Sequence, residues 1–129
     1  MGFNEDQALE TYKSMIAIGT EALKALQLIN GGAIVALLAY VGQDSQRPHI
    51  AELAGRPLSL FVGGLVAATL AFLGTYLTQF TLLNEFFKGG VFRGPKHMTW
   101  LFSTMVVALV SLALFAWGSF AAVAALSHP

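Results

Sequence analysis

The 129-residue chain has no cysteine, which excludes disulfides, thiolate catalysis and cysteine-based metal sites together. Charge is nearly as scarce. Only 11% of the residues are Asp, Glu, Lys or Arg, against about 25% in an ordinary soluble domain. A soluble fold would have nowhere to put the 56% that is hydrophobic. Seven basic residues balance seven acidic ones, so no excess of one sign points to nucleic acid or to a strongly acidic partner. The first seven residues, Met-Gly-Phe-Asn-Glu-Asp-Gln, lack the basic segment of a cleaved signal peptide. Asp6 also stands where a myristoylation signal wants Ser or Thr. Membrane attachment is therefore expected from the helices themselves.

Catalytic motifs are missing as well. HExxH, GxSxG and P-loop patterns do not occur. His49, His97 and His128 are scattered over different segments, without the close spacing that lets two imidazoles share a metal. Ser59, Ser103 and Ser111 have no neighbour in sequence to activate them. Glu85 and His97 bracket one loop, and a solvated pair is expected there rather than a catalytic dyad. These absences point away from an enzyme and from any cofactor.

What the chain does have is three stretches free of Asp, Glu, Lys and Arg: Ala25 to Gln43, Pro57 to Asn84, and His97 to the C-terminus. A hydrocarbon core of about 30 Å takes about 20 helical residues. The expected fold is thus an all-α membrane protein, a single membrane domain with spanning helices at 25–42, 58–83 and 98–126. The first is continuous with an amphipathic cytoplasmic extension, 1–24. It is the shortest of the three, and reaches full length only if Glu21 and Lys24 sit at headgroup level with Lys24 snorkelling. No ionisable residue then lies in mid-span, which argues against a proton relay or an ion-coupled carrier.

The connections have local causes. Gln43 to Arg56 holds Asp44, Ser45, Arg47 and Pro48, with Ile50, Leu53 and Ala54 forming one interfacial turn that ends at Gly55. Pro57 suits the first helical position of the second span. Lys88-Gly89-Gly90 and Arg93-Gly94-Pro95 break the chain before the third. Lys13, Lys24, Lys88, Arg93 and Lys96 fall on one side of the membrane, and only Arg47 and Arg56 on the other. The positive-inside rule puts the N-terminus in the cytoplasm and the C-terminus outside, in a bacterial-type inner (plasma) membrane. Phe86, Phe87, Phe92 and Trp100 flank the cytoplasmic loop as an aromatic belt.

The N-terminal half is the most patterned. Leu9, Tyr12, Ile16, Gly19, Leu23, Leu26, Asn30, Ala33, Leu37 and Tyr40 recur at steps of three and four, a heptad seam on one helix from about Glu5 to Tyr40. Glu10, Lys13, Glu21, Lys24 and Gln27 make a polar stripe off it. Rows of small residues mark helix contacts in lipid, where close backbone approach replaces hydrophobic burial. Leu60, Gly64, Ala67, Ala71, Gly74, Thr78 and Thr81 form one such row in the second span. Thr104, Ala108, Ser111, Phe115, Gly118, Ala122 and Ala125 form another in the third, and Ala25, Ile29, Gly32, Ala36 and Ala39 a shorter one in the first. These rows are expected to close a three-helix protomer. The seam of Leu9, Ile16 and Leu23 is then left to meet another copy, making a homo-oligomer, or to meet a different membrane subunit.

Polar residues within the spans have two readings. Gln27 and Asn30 either hold helices in register or line a pore, and Thr75, Tyr76 and Gln79 form a patch with the same alternatives. Two function classes follow. The first is a small oligomeric channel or permeabilising pore in the bilayer, its mouth lined by Glu21, Lys24, Gln27 and Asn30 and its constriction by Ile34 and Leu37. The second is a noncatalytic accessory or anchoring subunit of a larger membrane complex. In helix count and size the layout resembles phage holins and small membrane effectors of bacterial defence systems, a likeness that carries no motif and implies the first class.

Overall fold

A computed structural model describes residues 3–43, 48–87 and 96–127. The expected features at Asp44, Ser45, Arg47, at Lys88 to Pro95 and at His128 lie outside the described residues. The described chain is all helical: α1 (Phe3–Gln43), α2 (Pro48–Phe87) and α3 (His97–Leu126), each long and apolar enough to cross a membrane.

Nothing in α1 interrupts a helix, since the first proline is Pro48, and Glu5 and Asp6 in the opening turn suit the positive end of its dipole. At 1.5 Å per residue its 41 residues run about 60 Å, twice the hydrocarbon thickness. The second helix differs from the expectation. It begins at Pro48, not Pro57, so the loop is shorter and the interfacial turn is part of α2. Pro57 removes one backbone hydrogen bond, at a cost of about 3 kcal/mol in a helix interior. The helix continues through it because its buried side persists upstream: Ala54, fully buried Pro57 and Phe61 recur at helical spacing, and Ala54 and Phe61 pack with Leu37 of α1.

The bundle is built around the α2–α3 hairpin, its most extensive contact, with α1 resting mainly on α2. Small residues let the hairpin close. Ser111 Oγ donates to the Gly64 carbonyl at 2.8 Å. A side chain on Gly74 would meet Thr104, and one on Gly118 would meet the Phe61 ring. Phe61 and Phe115 pack with ring centroids 5.8 Å apart. Ala67 and Ala71 are buried, and Ala108 and Ala122 half-buried, on the same faces. Most hydroxyls bond within their own helices, as Thr75 does to Ala71 O and Thr78 to Gly74 O, so they add little between helices.

Glu85 ties the hairpin at its loop end. Its carboxylate accepts the His97 backbone N–H at 2.9 Å and meets His97 Nδ1 at 2.7 Å. The side-chain bond to His97, and then the backbone bond, hold the Glu85 carboxyl below its ordinary pKa. A negative charge here also opposes the positive end of the α3 dipole.

The first helix reverses the expected division of its faces. Leu23, Asn30 and Leu37 are buried and Leu26, Ala33 and Ile34 half-buried inside the protomer. Ala25, Gly32, Ala36 and Ala39 of the small row are exposed, and its Ile29 is half-buried. The small rows of α2 and α3 already face each other, so α1 lies over the hairpin, where leucines fill what alanines would leave open. The seam is thus internal from Leu23 onward, and it is not free there to meet another copy. Upstream, Leu9 and Tyr12 are exposed and Ile16 is half-buried.

Candidate functional site

Three contacts set the register of α1 on its neighbours. Leu37 packs with Ala54 and Phe61, Asn30 lies against Gly64, and Gln27 Nε2 reaches Thr69 Oγ1 at 3.5 Å. The two helices are therefore antiparallel. Asn30 closes the centre of the bundle: its Nδ2 donates to Leu26 O at 2.9 Å and to Ser111 Oγ at 3.4 Å. Asn30 and Ser111 are both 0% exposed, and Asn30 Oδ1 is left without a partner against Gly64. A Cβ at position 64 would collide with the Asn30 side-chain amide, which would have to shift.

This register relates the levels of the three helices. Thr69 lies near the middle of the charge-free part of α2, with Arg56 about 20 Å to one side and Glu85 about 24 Å to the other at 1.5 Å per residue. Ser111, beside Gly64, lies at the middle of charge-free α3. A hydrocarbon slab of about 30 Å centred on α2 and α3 extends about 15 Å each way. Glu85 falls outside it. Lys24 and Glu21, three and six residues beyond Gln27, stand about 5 and 9 Å along α1 from the level of Thr69, and about 9 and 14 Å from Asn30, which bonds Ser111.

Both charges point away from their own bundle. Lys24 Nζ and Glu21 Oε1 are 2.9 Å apart, with 57% and 72% of their side chains exposed. They belong to a second heptad row on the far side of α1: Gln7, Glu10, Ser14, Ala17, Glu21, Lys24, Leu28, Gly31, Val35 and Leu38, separated by alternating steps of three and four. Every member but half-buried Gly31 is exposed. The row is polar or small as far as Lys24 and mostly apolar from Leu28. Of the six residues expected at a pore, the structure therefore keeps Glu21 and Lys24 on a free surface. Gln27 and Ile34 are half-buried, and Asn30 and Leu37 are inside the protomer, where no lumen between copies can reach them.

No family model, curated protein or solved structure matches this chain. The site therefore stands on its own geometry. Tyr76, Gln79, Phe80 and Leu83 line a shallow groove of about 340 Å³ on α2, with Tyr76 stacked on Phe80 at 6.4 Å. The lining is mixed, with Tyr76 and Gln79 of the expected polar patch beside Phe80 and Leu83 on an exposed side of α2. No group of three His, Asp or Glu able to hold a metal occurs among the described residues.

The outward heptad row is the feature that sequence reasoning missed. Its signal was present in the polar stripe of Glu10, Glu21 and Lys24, whose steps continue without a break into Leu28 and Val35. Composition hides the continuation, because the stripe changes from polar to apolar along its length.

Proposed function

We propose that this chain is a subunit of a homo-oligomeric membrane conduit, in which the outward row of α1 from several copies surrounds a polar axis. One observation carries this reading: Glu21 and Lys24 are exposed on α1 beside the apolar length of α2, which supports placing them within the hydrocarbon rather than beyond it. A charged side chain near mid-span costs about 2.5–3.5 kcal/mol even on the mildest insertion scale. Charges within spans accordingly face bundle interiors or water-filled cavities and pair with one another. Lipid offers them neither. An identical copy offers Glu and Lys at the same depth, so each carboxylate can also meet a neighbour's ammonium.

The row supplies what a conduit needs. Its Gln7 to Lys24 half is polar or small and wettable, and its Leu28 to Leu38 half is narrow in polarity and can exclude water. Packing within the protomer assigns the inner seam, Leu23 to Leu37, to holding the helix at its angle. The accessory-subunit reading places a different protein on the same row.

Reconstitution in planar bilayers tests the proposal. The wild-type protein should carry ionic current, and under a salt gradient Glu21→Gln, which removes the acidic ring without reversing it, should move the reversal potential toward that of the anion. A purified oligomer that carries no current, in wild-type form and with Leu28 replaced by Ser, contradicts the conduit and leaves the accessory reading.

A further inference from the structure

Resting on that reading, we infer that Leu28 and Val35 form two apolar constrictions of the axis, with a glycine-lined widening between them. Leu28 follows Lys24 by one helical turn on the same row and is 76% exposed, and Val35 is 68% exposed. They are seven residues, or about 10 Å, apart, so the same azimuth returns after two turns. Gly31 and Gly32 lie between them. A side chain added at either would meet nothing within 4 Å in its own protomer, so the space beside them opens outward, toward the neighbouring copies.

The occupant of this face is a second copy of the chain, argued from charge. The outward row of α1 carries an acid and a base one turn apart, Glu21 and Lys24, bonded to each other at 2.9 Å. That pattern is complementary to itself in parallel copies at equal depth. Continuing the same contact by one turn brings the Leu28 side chains around the axis next. Rings of bulky apolar side chains stop conduction by dewetting when the lumen is narrow, and a ring of glycines beyond them gives room for water without a wall that binds it. The passage is therefore restricted by poor wetting at two levels rather than by a plug, so the wild type conducts less than a variant wetted there. Ile34 and Leu37, the earlier candidates, are turned toward α2 and cannot serve.

The absence of cysteine makes the test direct, since any introduced thiol is the sole one. Gly32→Cys is placed in the wild-type and Leu28→Ser backgrounds, and membranes are treated from each side with a charged, impermeant thiol reagent. From the side of the α1 N-terminus, labelling should be slow behind Leu28 and about tenfold or more faster in Leu28→Ser, with ionic current rising in parallel. Val35→Ser should do the same for access from the opposite side. A thiol at Phe120, on the exposed side of α3, should stay unlabelled throughout. If the protein remains an oligomer with measurable current and neither serine variant changes current or labelling, the constrictions are assigned wrongly while the conduit stands. If the purified protein is a monomer and Gly32→Cys is never labelled, both the constrictions and the conduit fall.

Discussion

The α2–α3 hairpin and the α1 helix answer the same environment in different ways. In the hairpin, small residues of each helix face those of the other, hydroxyls bond to their own turns, and the loop end is tied by Glu85 and His97. Its outer surface is apolar, which lipid covers. In α1 one side is a seam buried on the hairpin and the other is an exposed row that carries Glu21 and Lys24. On the proposed reading the hairpin is complete within one chain, and α1 is complete on one side only. Need for a partner is decided by the polarity of the uncovered side at its depth, since exposed leucine at mid-membrane is satisfied and exposed lysine is not.

The sharpest way to break this comparison is to place a charge on each side of α1. Asn30→Asp puts a carboxylate where nothing is exposed and no cation is near, and an uncompensated buried charge costs about 3–5 kcal/mol. The protomer should lose α1 packing, read as a large fall in thermal midpoint in detergent. Leu23→Lys should act in the same way, by unfolding the seam rather than by dissociating copies. Glu21→Gln, on the other side, should leave the protomer within about 0.5 kcal/mol of wild type, as exposed sites usually do. If Asn30→Asp and Glu21→Gln have equal effects on the midpoint, the two sides of α1 are not different.

A second, smaller effect is expected at the contact between the two regions. Gly64→Val sets a side chain against the Asn30 amide oxygen, and overpacking of this kind costs about 1–3 kcal/mol. Gly42→Val, at a site with nothing within 4 Å, should be close to neutral and controls for helix content. Comparing the two midpoints isolates the close approach of α1 to the hairpin. Equal midpoints would mean that α1 does not lie on α2 at Gly64.

The least effect belongs to the tie at the hairpin end. The Glu85 carboxyl is held below its ordinary pKa by His97, so its folded-state value lies under the unfolded one. That sign means its contribution is present above the unfolded carboxylate range and is lost as pH falls through the lowered folded value. Melting of the wild type should therefore weaken in that acid window, and Glu85→Gln should flatten the slope. A slope unchanged by Glu85→Gln removes the tie from the account.

Much of this architecture was legible in the residues. The three charge-free runs mark three helices because so few other sequences leave a chain without charge for so long, and the small rows of α2 and α3 mark their mutual face. The partner of each α1 seam was not legible. Both seams repeat every seven residues, and only the hairpin, with its own small rows already facing each other, decides that Leu23 and Leu37 turn inward and Ala25 and Ala36 outward. The level of Glu21 and Lys24 relative to the hairpin was hidden for a related reason. A charge-free run counted along α1 alone begins at Ala25, whereas the level of a residue depends on what stands beside it, here Thr69 by way of Gln27. Pro57 misled because a proline that suits a helix start is also tolerated inside a helix when packing on both sides persists.

The central claim is that the charged side of α1 meets the same side of other copies. Native mass measurement in nanodiscs tests it most directly, applied to the wild type, Glu21→Lys, Lys24→Glu and the double exchange of both. Like charges brought together at this depth repel, and exchange of both restores every opposite pair. The account predicts multimers for the wild type and the double exchange and smaller species for each single reversal. Four proteins of identical mass, whether all monomeric or all assembled, would contradict it.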